Sequence, residues 1–101
     1  MNINQICMKC MTGKINEEGK CTSCGALQDA EKNGSKHLPV KTILKGKYLV
    51  GRVIGEGGFG ITYIGYDLDL EIRVAIKEFC PKNSVERDIE DGLTIYPLFF
   101  S

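Results

Sequence analysis

Four of the five cysteines stand in two closely spaced pairs near the start of the chain, and this pattern limits the folds open to that region. Cys7 and Cys10 form CMKC, Cys21 and Cys24 form CTSC, and ten residues separate the pairs. Two thiolates three residues apart in a tight turn can face one ion, and two such turns complete the tetrahedral sulfur site that Zn²⁺ prefers. The pattern predicts a structural zinc site, with Gly25 at positive φ so that free amides face the sulfurs.

Two other uses of paired cysteines fit this sequence less well. Disulfides form in oxidising compartments, and the N-terminal residues have no apolar stretch typical of a secretion signal. A redox CxxC belongs to a βαβ context, which the flanking residues do not provide. The large apolar residues between the outer cysteines are only Met8, Met11 and Ile15. We therefore expect this segment to need a bound metal in order to fold.

The residues that follow the cysteines have the composition of a linker. Residues 28–46 lack a sustained apolar period and contain Asn-Gly-Ser and a proline. We expect the linker to be attached near its end through Val40, Ile43 and Leu44. The single histidine of the chain, His37, lies in this polar segment, and we interpret it as solvated.

Charge is balanced over the whole chain but unevenly placed. Residues 1–50 carry eight lysines and four acidic residues, whereas residues 51–101 carry five basic and nine acidic residues. The basic half is far from a polycationic arm, and neither an arginine cluster nor an aromatic platform accompanies the cysteines, so we do not expect nucleic-acid binding. No stretch approaches the ~18 apolar residues of a membrane span. We expect a soluble, cytoplasmic chain without a membrane segment.

A glycine-rich stretch, GEGGFG at residues 55–60, lies between two segments with the composition of strands. Residues 48–54 and 61–66 are rich in β-branched and aromatic side chains, and a third such segment spans residues 72–79, before Pro81. A Rossmann fingerprint would open a helix here, and a P-loop would end in Gly-Lys-Ser/Thr. Neither follows, so the sequence predicts a hairpin joined to a third strand.

The third predicted strand has two chemically different faces. Ala75 and Lys77 share one face and Val74 and Ile76 share the other, because side chains alternate along a strand. A small apolar residue beside a cation suits a flat base over Ala75 and a phosphate at Lys77. We expect the face of Val74 and Ile76 to lack cover, which would leave the chain marginally stable or self-associating. We interpret the acidic turn at residues 67–71 as solvated.

The motifs IGEGGFGITY and VAIKEF resemble the N-terminal lobe of protein kinases, and their amino-acid sequences are similar to those of bacterial-type Ser/Thr kinases. The resemblance covers about residues 46–101. It implies an ATP-binding set made of Ile54, Gly55, Gly57, Gly58, Phe59, Gly60, Thr62, Ala75 and Lys77. The family's glycine loop and lysine hold the phosphates. Thr62 departs from the family, which usually has valine there.

The resemblance also implies the organisation of the chain. The cysteine segment, about residues 5–27, resembles the zinc ribbons of bacterial proteins, which can bind protein or nucleic-acid partners. A linker at 28–46 and a truncated kinase N-lobe at 47–101 would follow, with a glycine-loop hairpin, the VAIK strand and a second hairpin. The parent fold is α+β, and this chain is expected to be mostly β. The parent would transfer phosphate from ATP, with Mg²⁺, to hydroxyls of a protein substrate.

Several parts of a working kinase are missing from the sequence. It contains no His-Arg-Asp, Asp-Phe-Gly or Ala-Pro-Glu motif. Glu86 and Glu90 stand in a turn-rich, strand-like stretch rather than in a helix, with Asp91-Gly92 predicting a turn before residues 93–96. No catalytic set is complete, and we expect the chain alone to be inactive. The alternative is an inert fragment whose zinc ribbon is a protein- or nucleic-acid-binding module.

Overall fold

One antiparallel sheet of five strands contains most of the regular structure. The computed structural model describes residues 3–28, 30, 32–58, 60–79 and 93–98. The strands are β1 (Ile43–Leu44), β2 (Tyr48–Gly57), β3 (Gly60–Asp67), β4 (Ile72–Phe79) and β5 (Leu93–Pro97). They lie in the order β1-β2-β3-β4-β5, and every neighbouring pair is antiparallel. Among the described residues there is one short 3-10 turn, Ile3–Gln5, and no α-helix, which confirms a mostly β chain.

The strands agree closely with those predicted from side-chain composition. The third predicted strand has the bounds of β4, and the first two extend by a few residues into the glycine-rich stretch. The predicted arm at residues 93–96 is β5, which pairs with β4. Three features of the sequence lie outside the described residues, namely the first arm of that second hairpin, the fifth cysteine (Cys80) and the acidic residues 86–91. In the part of the chain that is described, no helix is long and apolar enough to cross a bilayer.

One face of the sheet, called the packed face here, is covered by the segment that the sequence indicated to be a linker. The side chains of this face are Val50, Ile61, Tyr63, Val74 and Ile76, and they form one core with Leu38 and Leu44. The exposed fraction of Val74 is 1% and that of Ile76 is 0%. The expectation that these two residues lack cover was therefore wrong. A few apolar side chains without any period were enough to close the face.

Polar contacts connect the same segment to the sheet. The amide of Leu38 donates to the Tyr63 hydroxyl at 2.9 Å, and this hydroxyl donates to Glu78 Oε1 at 3.1 Å. Both Tyr63 and Glu78 are almost fully buried. Of the three expected attachment residues, Leu44 is buried in this core, Val40 packs against the cysteine segment, and Ile43 is 43% exposed.

The interpretation of His37 as a solvated side chain was also wrong. Its side chain is only 18% exposed, because it packs beside the glycine-rich hairpin. The amide of Gly34 donates to Nδ1 at 2.9 Å, so Nε2 carries the proton and donates to Glu56 Oε1 at 2.8 Å. The segment at residues 33–38 thus reaches the hairpin directly.

The acidic turn after β3 is likewise less solvated than predicted. Asp67 is 3% exposed, and its Oδ1 accepts hydrogen bonds from the amides of Asp69 at 2.9 Å and Leu70 at 3.0 Å. A short acidic side chain often satisfies the amides two and three residues further along in this way. The carboxylate of Asp67 therefore organises the turn, while Asp69 and Glu71 are exposed as expected.

Among the described residues, the opposite face of the sheet is covered at one end only. Residues 3–28, called the cysteine module here, place Ile6, Met8 and Met11 against Leu49 and Ile64. The other end of this face, called the open face, lies next to the glycine-rich hairpin. Its side chains come from residues that share one side of the register, namely Thr62, Ala75, Lys77, Phe79, Thr94 and Tyr96. Predicted nucleotide residues and the cysteine module therefore occupy the same side of the sheet.

Candidate functional site

The four predicted cysteine ligands converge on one point. Their sulfur atoms all lie within 4.8 Å of one another. The Cys7 and Cys24 sulfurs are 3.6 Å apart, as are those of Cys10 and Cys21. A disulfide requires about 2.05 Å, whereas four thiolates at a Zn–S distance of about 2.3 Å around a tetrahedral ion lie roughly 3.8 Å apart. The cluster therefore fits a metal ion such as Zn²⁺.

The two cysteine pairs are held by two backbone turns of the same kind. The amide of Met11 donates to the Cys7 carbonyl at 2.9 Å, and the amide of Gly25 donates to the Cys21 carbonyl at 3.1 Å. Gly25 has φ of 78°, which confirms the predicted positive value. Met11 occupies the equivalent position in the first turn with φ of 59°, in a conformation that favours glycine. Nothing in the sequence pattern revealed this second left-handed position.

Backbone amides favour the thiolate form at two of the ligands. Burial acts to raise the pKa of Cys10, but hydrogen bonds from the Thr12 side chain and the amides of Gly13 and Thr12 outweigh it and lower the pKa to about 6. In Cys21, amides of its own turn likewise outweigh burial and lower the pKa. Burial raises the pKa of Cys7 to about 12. A bound cation would supply what Cys7 lacks, because metal binding requires deprotonated sulfur.

Gly13 allows the two turns to approach each other. A Cβ at this position would collide with Cys21 Sγ and would lie 2.8 Å from the Ser23 amide nitrogen. The amides of Ser23 and Cys24 donate to the Cys21 sulfur at 3.3 and 3.4 Å. Any side chain at residue 13 would therefore displace the second turn from the ligand cluster.

The glycine-rich hairpin connects β2 to β3 and lies beside the open face. The pairs Gly55↔Thr62 and Thr62↔Lys77 are in register, so that these three residues form one row across three strands. Ala75 lies on the same side as Lys77, two residues away along β4. The exposed fraction of Ile54 is 44%, and Lys77 is exposed. The structure thus brings Gly55, Thr62, Ala75 and Lys77 to one side of the sheet, with Gly57 paired to Gly60 at the end of the hairpin, while Phe59 lies outside the described residues.

The glycines of this hairpin differ in what requires them. At Gly60 a Cβ would collide with the carbonyl oxygen of Glu78. At Gly57 and Gly58 no atom lies within 4 Å of the Cβ position, and at Gly55 the nearest is an ordinary contact of 3.8 Å with Thr62. Among the hairpin glycines only Gly60 has positive φ, and the other described glycines with positive φ are Gly19, Gly25 and Gly46. Among the described residues, neither packing nor backbone conformation therefore requires glycine at 55, 57 or 58.

Comparison with known proteins gives a short match to a kinase. The chain is 44% identical over 46 residues to MAP3K epsilon protein kinase 1 of Brassica napus, a match that covers 46% of this chain and 4% of that protein. This chain therefore spans only a small part of the relative's length. No protein-family model and no solved structure matches the chain. Part of the chain is thus similar to a protein kinase, and a four-cysteine cluster able to hold a metal accompanies it.

Several residues beside the two sites were missed by sequence reasoning. Asn33, His37, Arg52 and Arg73 all make hydrogen bonds between the cysteine module, the linker segment and the sheet. For Arg52 there was a weak signal, since it is a charged residue inside an otherwise apolar strand. For Asn33 and His37 there was none, because a polar segment without a period does not reveal its contacts.

Proposed function

We propose that this chain is the N-terminal part of an ATP-dependent protein Ser/Thr kinase of the bacterial type. Its cysteine module is a structural zinc ribbon, followed by a linker at 28–46 and the beginning of a kinase N-lobe at 47–101. The single observation that carries the proposal is a set of hairpin glycines, at 55, 57 and 58, that no contact with the described residues requires. They leave bare backbone on the side of the sheet that presents Lys77.

The geometry of the hairpin suits a nucleotide with several phosphates. Backbone amides without side chains can approach phosphate oxygens closely, and a lysine supplies a point charge. Gly55 and Lys77 are two strands apart, which is about 10 Å at the usual strand spacing. A chain of phosphates can extend over that distance from the hairpin toward β4. Thr62 and Ala75 provide small side chains on this side of the sheet, and the exposed Ile54 would add apolar surface for the adenine.

The remaining chemistry would come from the longer kinase. In that protein Mg²⁺ would accompany ATP and neutralise charge on its phosphates, and the acceptor would be a hydroxyl of a cytoplasmic protein substrate. The motifs that orient metal and hydroxyl in this family are not in the sequence. We therefore expect the chain by itself to bind ATP without transferring phosphate, and only weakly, with Kd near or above about 1 mM, since it supplies half of a cleft.

A titration with Mg·ATP followed by two-dimensional amide NMR tests this proposal. We expect shifts at the amides of residues 55–58 and at Thr62 and Lys77. Lys77→Ala should weaken binding by about tenfold, because it removes a charged contact to phosphate. Lys45→Ala, in the exposed turn between β1 and β2, is the matched control and should bind like the wild type. Two results would contradict the proposal: no shifts at about 10 mM ATP, or equal ATP affinity of Lys77→Ala and Lys45→Ala.

The same titration separates the proposal from its alternative. An inert chain whose ribbon is a binding module would show no ATP-dependent shifts at the hairpin. In that case a protein partner would meet the second cysteine turn, because the first turn is buried against the sheet while Cys24, Gly25 and Leu27 are exposed.

A further inference from the structure

Strand β2 contains an irregularity that the sheet itself does not satisfy. Its pairing with β3 shifts twice, between Val50 and Val53 and between Val53 and Gly55, and at the first shift residues 51–52 form a bulge. Bulged residues lose their partners in the ladder, and buried backbone groups must find others. The Arg52 amide donates to the Met8 carbonyl at 3.0 Å. Asn33 supplies two further contacts, since its Nδ2 donates to the Gly51 carbonyl and its Oδ1 accepts from the Val53 amide, each at 3.0 Å.

Side chains of the sheet hold the same part of the cysteine module. Arg52 Nε donates to the Lys9 carbonyl at 3.0 Å, and Arg73 Nη1 donates to the Cys10 carbonyl at 3.4 Å. Three successive carbonyls, from Met8 to Cys10, therefore accept hydrogen bonds from β2 and β4. These carbonyls belong to the turn that presents the first pair of cysteine ligands.

The contact between the turn and the strand depends on a glycine. A Cβ at Gly51 would lie 2.6 Å from the Met8 carbonyl oxygen and 2.6 Å from Met11 Cε. Gly51 is buried and is not among the glycines with positive φ. Close approach of the cysteine turn is therefore the reason that this position needs glycine.

We propose that metal binding at the four cysteines positions the β2 bulge and, through it, the glycine-rich hairpin. The metal cross-links the two cysteine turns and so fixes the carbonyls of residues 8–10. Without the metal, the two cysteine turns are no longer cross-linked, and the carbonyls of residues 8–10 can move. The amide of Arg52 then exchanges its partner, the Met8 carbonyl, for water. Gly55 begins the glycine-rich stretch only three residues further along the same strand. The significance for nucleotide binding rests on the function proposed above, whereas the structural coupling does not.

Amide hydrogen exchange of the full chain, with zinc bound and after removal by a chelator, tests the coupling. We expect the amides of Arg52 and Val53 to lose protection by about tenfold or more, because local opening exposes them without global unfolding. The amides of Glu78 and Leu93, at the end of the β4–β5 ladder away from the module, should change by less than about twofold. Unchanged protection at Arg52 and Val53 would overturn the proposal, and so would an equal loss throughout the sheet.

Two variants that keep all four cysteines sharpen the test. Gly51→Ala should separate the turn from β2, so that the chain still binds zinc while protection at Val53 no longer depends on it. Arg52→Ala removes only the side-chain contact to Lys9 and should reduce the zinc dependence of protection at Val53. It replaces Gly51→Ala as the test if that variant does not fold. Lys45→Ala is the control and should retain the full dependence.

Full zinc dependence in both test variants would contradict the proposed path through the bulge. The outcome is independent of ATP. If the Mg·ATP titration gave no shifts, the proposed kinase function would fail while the zinc-dependent exchange at β2 would remain.

Discussion

The two faces of the five-stranded sheet are covered in different ways. The packed face is closed along its length by Leu38 and Leu44, and its central residues are almost fully buried. In the described part of the chain, the cysteine module covers one end of the opposite face, and at the other end, the open face, Phe79 and Tyr96 are 55% and 51% exposed. The difference coincides with chemistry, because Lys77 and the hairpin glycines belong to the uncovered end.

This contrast shows how the chain divides its apolar residues between stability and access. The packed face contains the large aliphatic side chains of β4, and burying each of them contributes roughly 1.5–3 kcal/mol of favourable free energy. The open face alternates small and charged residues with aromatic ones, so leaving it bare costs less. A ligand can therefore reach this side without competing with the core.

The largest expected difference in stability is between two substitutions on opposite sides of β4. Ile76→Ala should lower the free energy of unfolding by about 2–5 kcal/mol, because it leaves a cavity in a fully buried site. Phe79→Ala, three residues away on the open face, should lower it by less than about 1 kcal/mol. Denaturant unfolding of the zinc-loaded chain measures both. If Ile76→Ala does not fold, Ile76→Val should cost about 0.5–1.5 kcal/mol. Equal losses from the two positions would remove the distinction between the faces.

What could be predicted from the sequence was the part that local patterns determine. The bounds of β4 followed from eight residues of β-branched alternation, and the cysteine ligands followed from their spacing. The cover of the packed face was predicted only in part, since Leu44 was expected to attach the linker, whereas Leu38 lies in a polar stretch without an apolar period. Asp67 was misjudged for a related reason, because composition alone does not tell a solvated carboxylate from one that satisfies the amides of its own turn.

The candidate sites show the same limit at the level of single residues. Spacing identified the ligands, but Met11 was not recognised as a left-handed position because glycine is the usual residue there. Its burial against Leu49 and Ile64 offsets a backbone cost of about 1–2 kcal/mol. The bulge in β2 was also invisible, since its partners, Met8 and Asn33, are distant in the sequence.

A buried hydroxyl gives the second comparison between the faces. Tyr63→Phe on the packed face should lower the free energy of unfolding by about 1–3 kcal/mol, because it removes a partner of the Leu38 amide and of Glu78 in a buried site. Tyr96→Phe on the open face is the matched control. Its hydroxyl belongs to a residue that is half exposed, so water replaces what is lost and the change should stay within about 0.5 kcal/mol. A similar cost for both would mean that the Tyr63 network contributes nothing beyond packing.

The smallest effect is expected at the edge of the cover, where His37 meets the glycine-rich hairpin. His37→Ala should lower the free energy of unfolding by about 0–1 kcal/mol, because Glu56 is half exposed and water competes for it. Glu56→Gln keeps an oxygen that accepts from Nε2, so it should retain most of the stability, and the difference between the variants separates the hydrogen bond from the charge. Urea unfolding at low and high salt measures both. A loss larger than that of Tyr63→Phe would reverse the order, and the cover would then be held from its edge at the hairpin rather than from its buried centre.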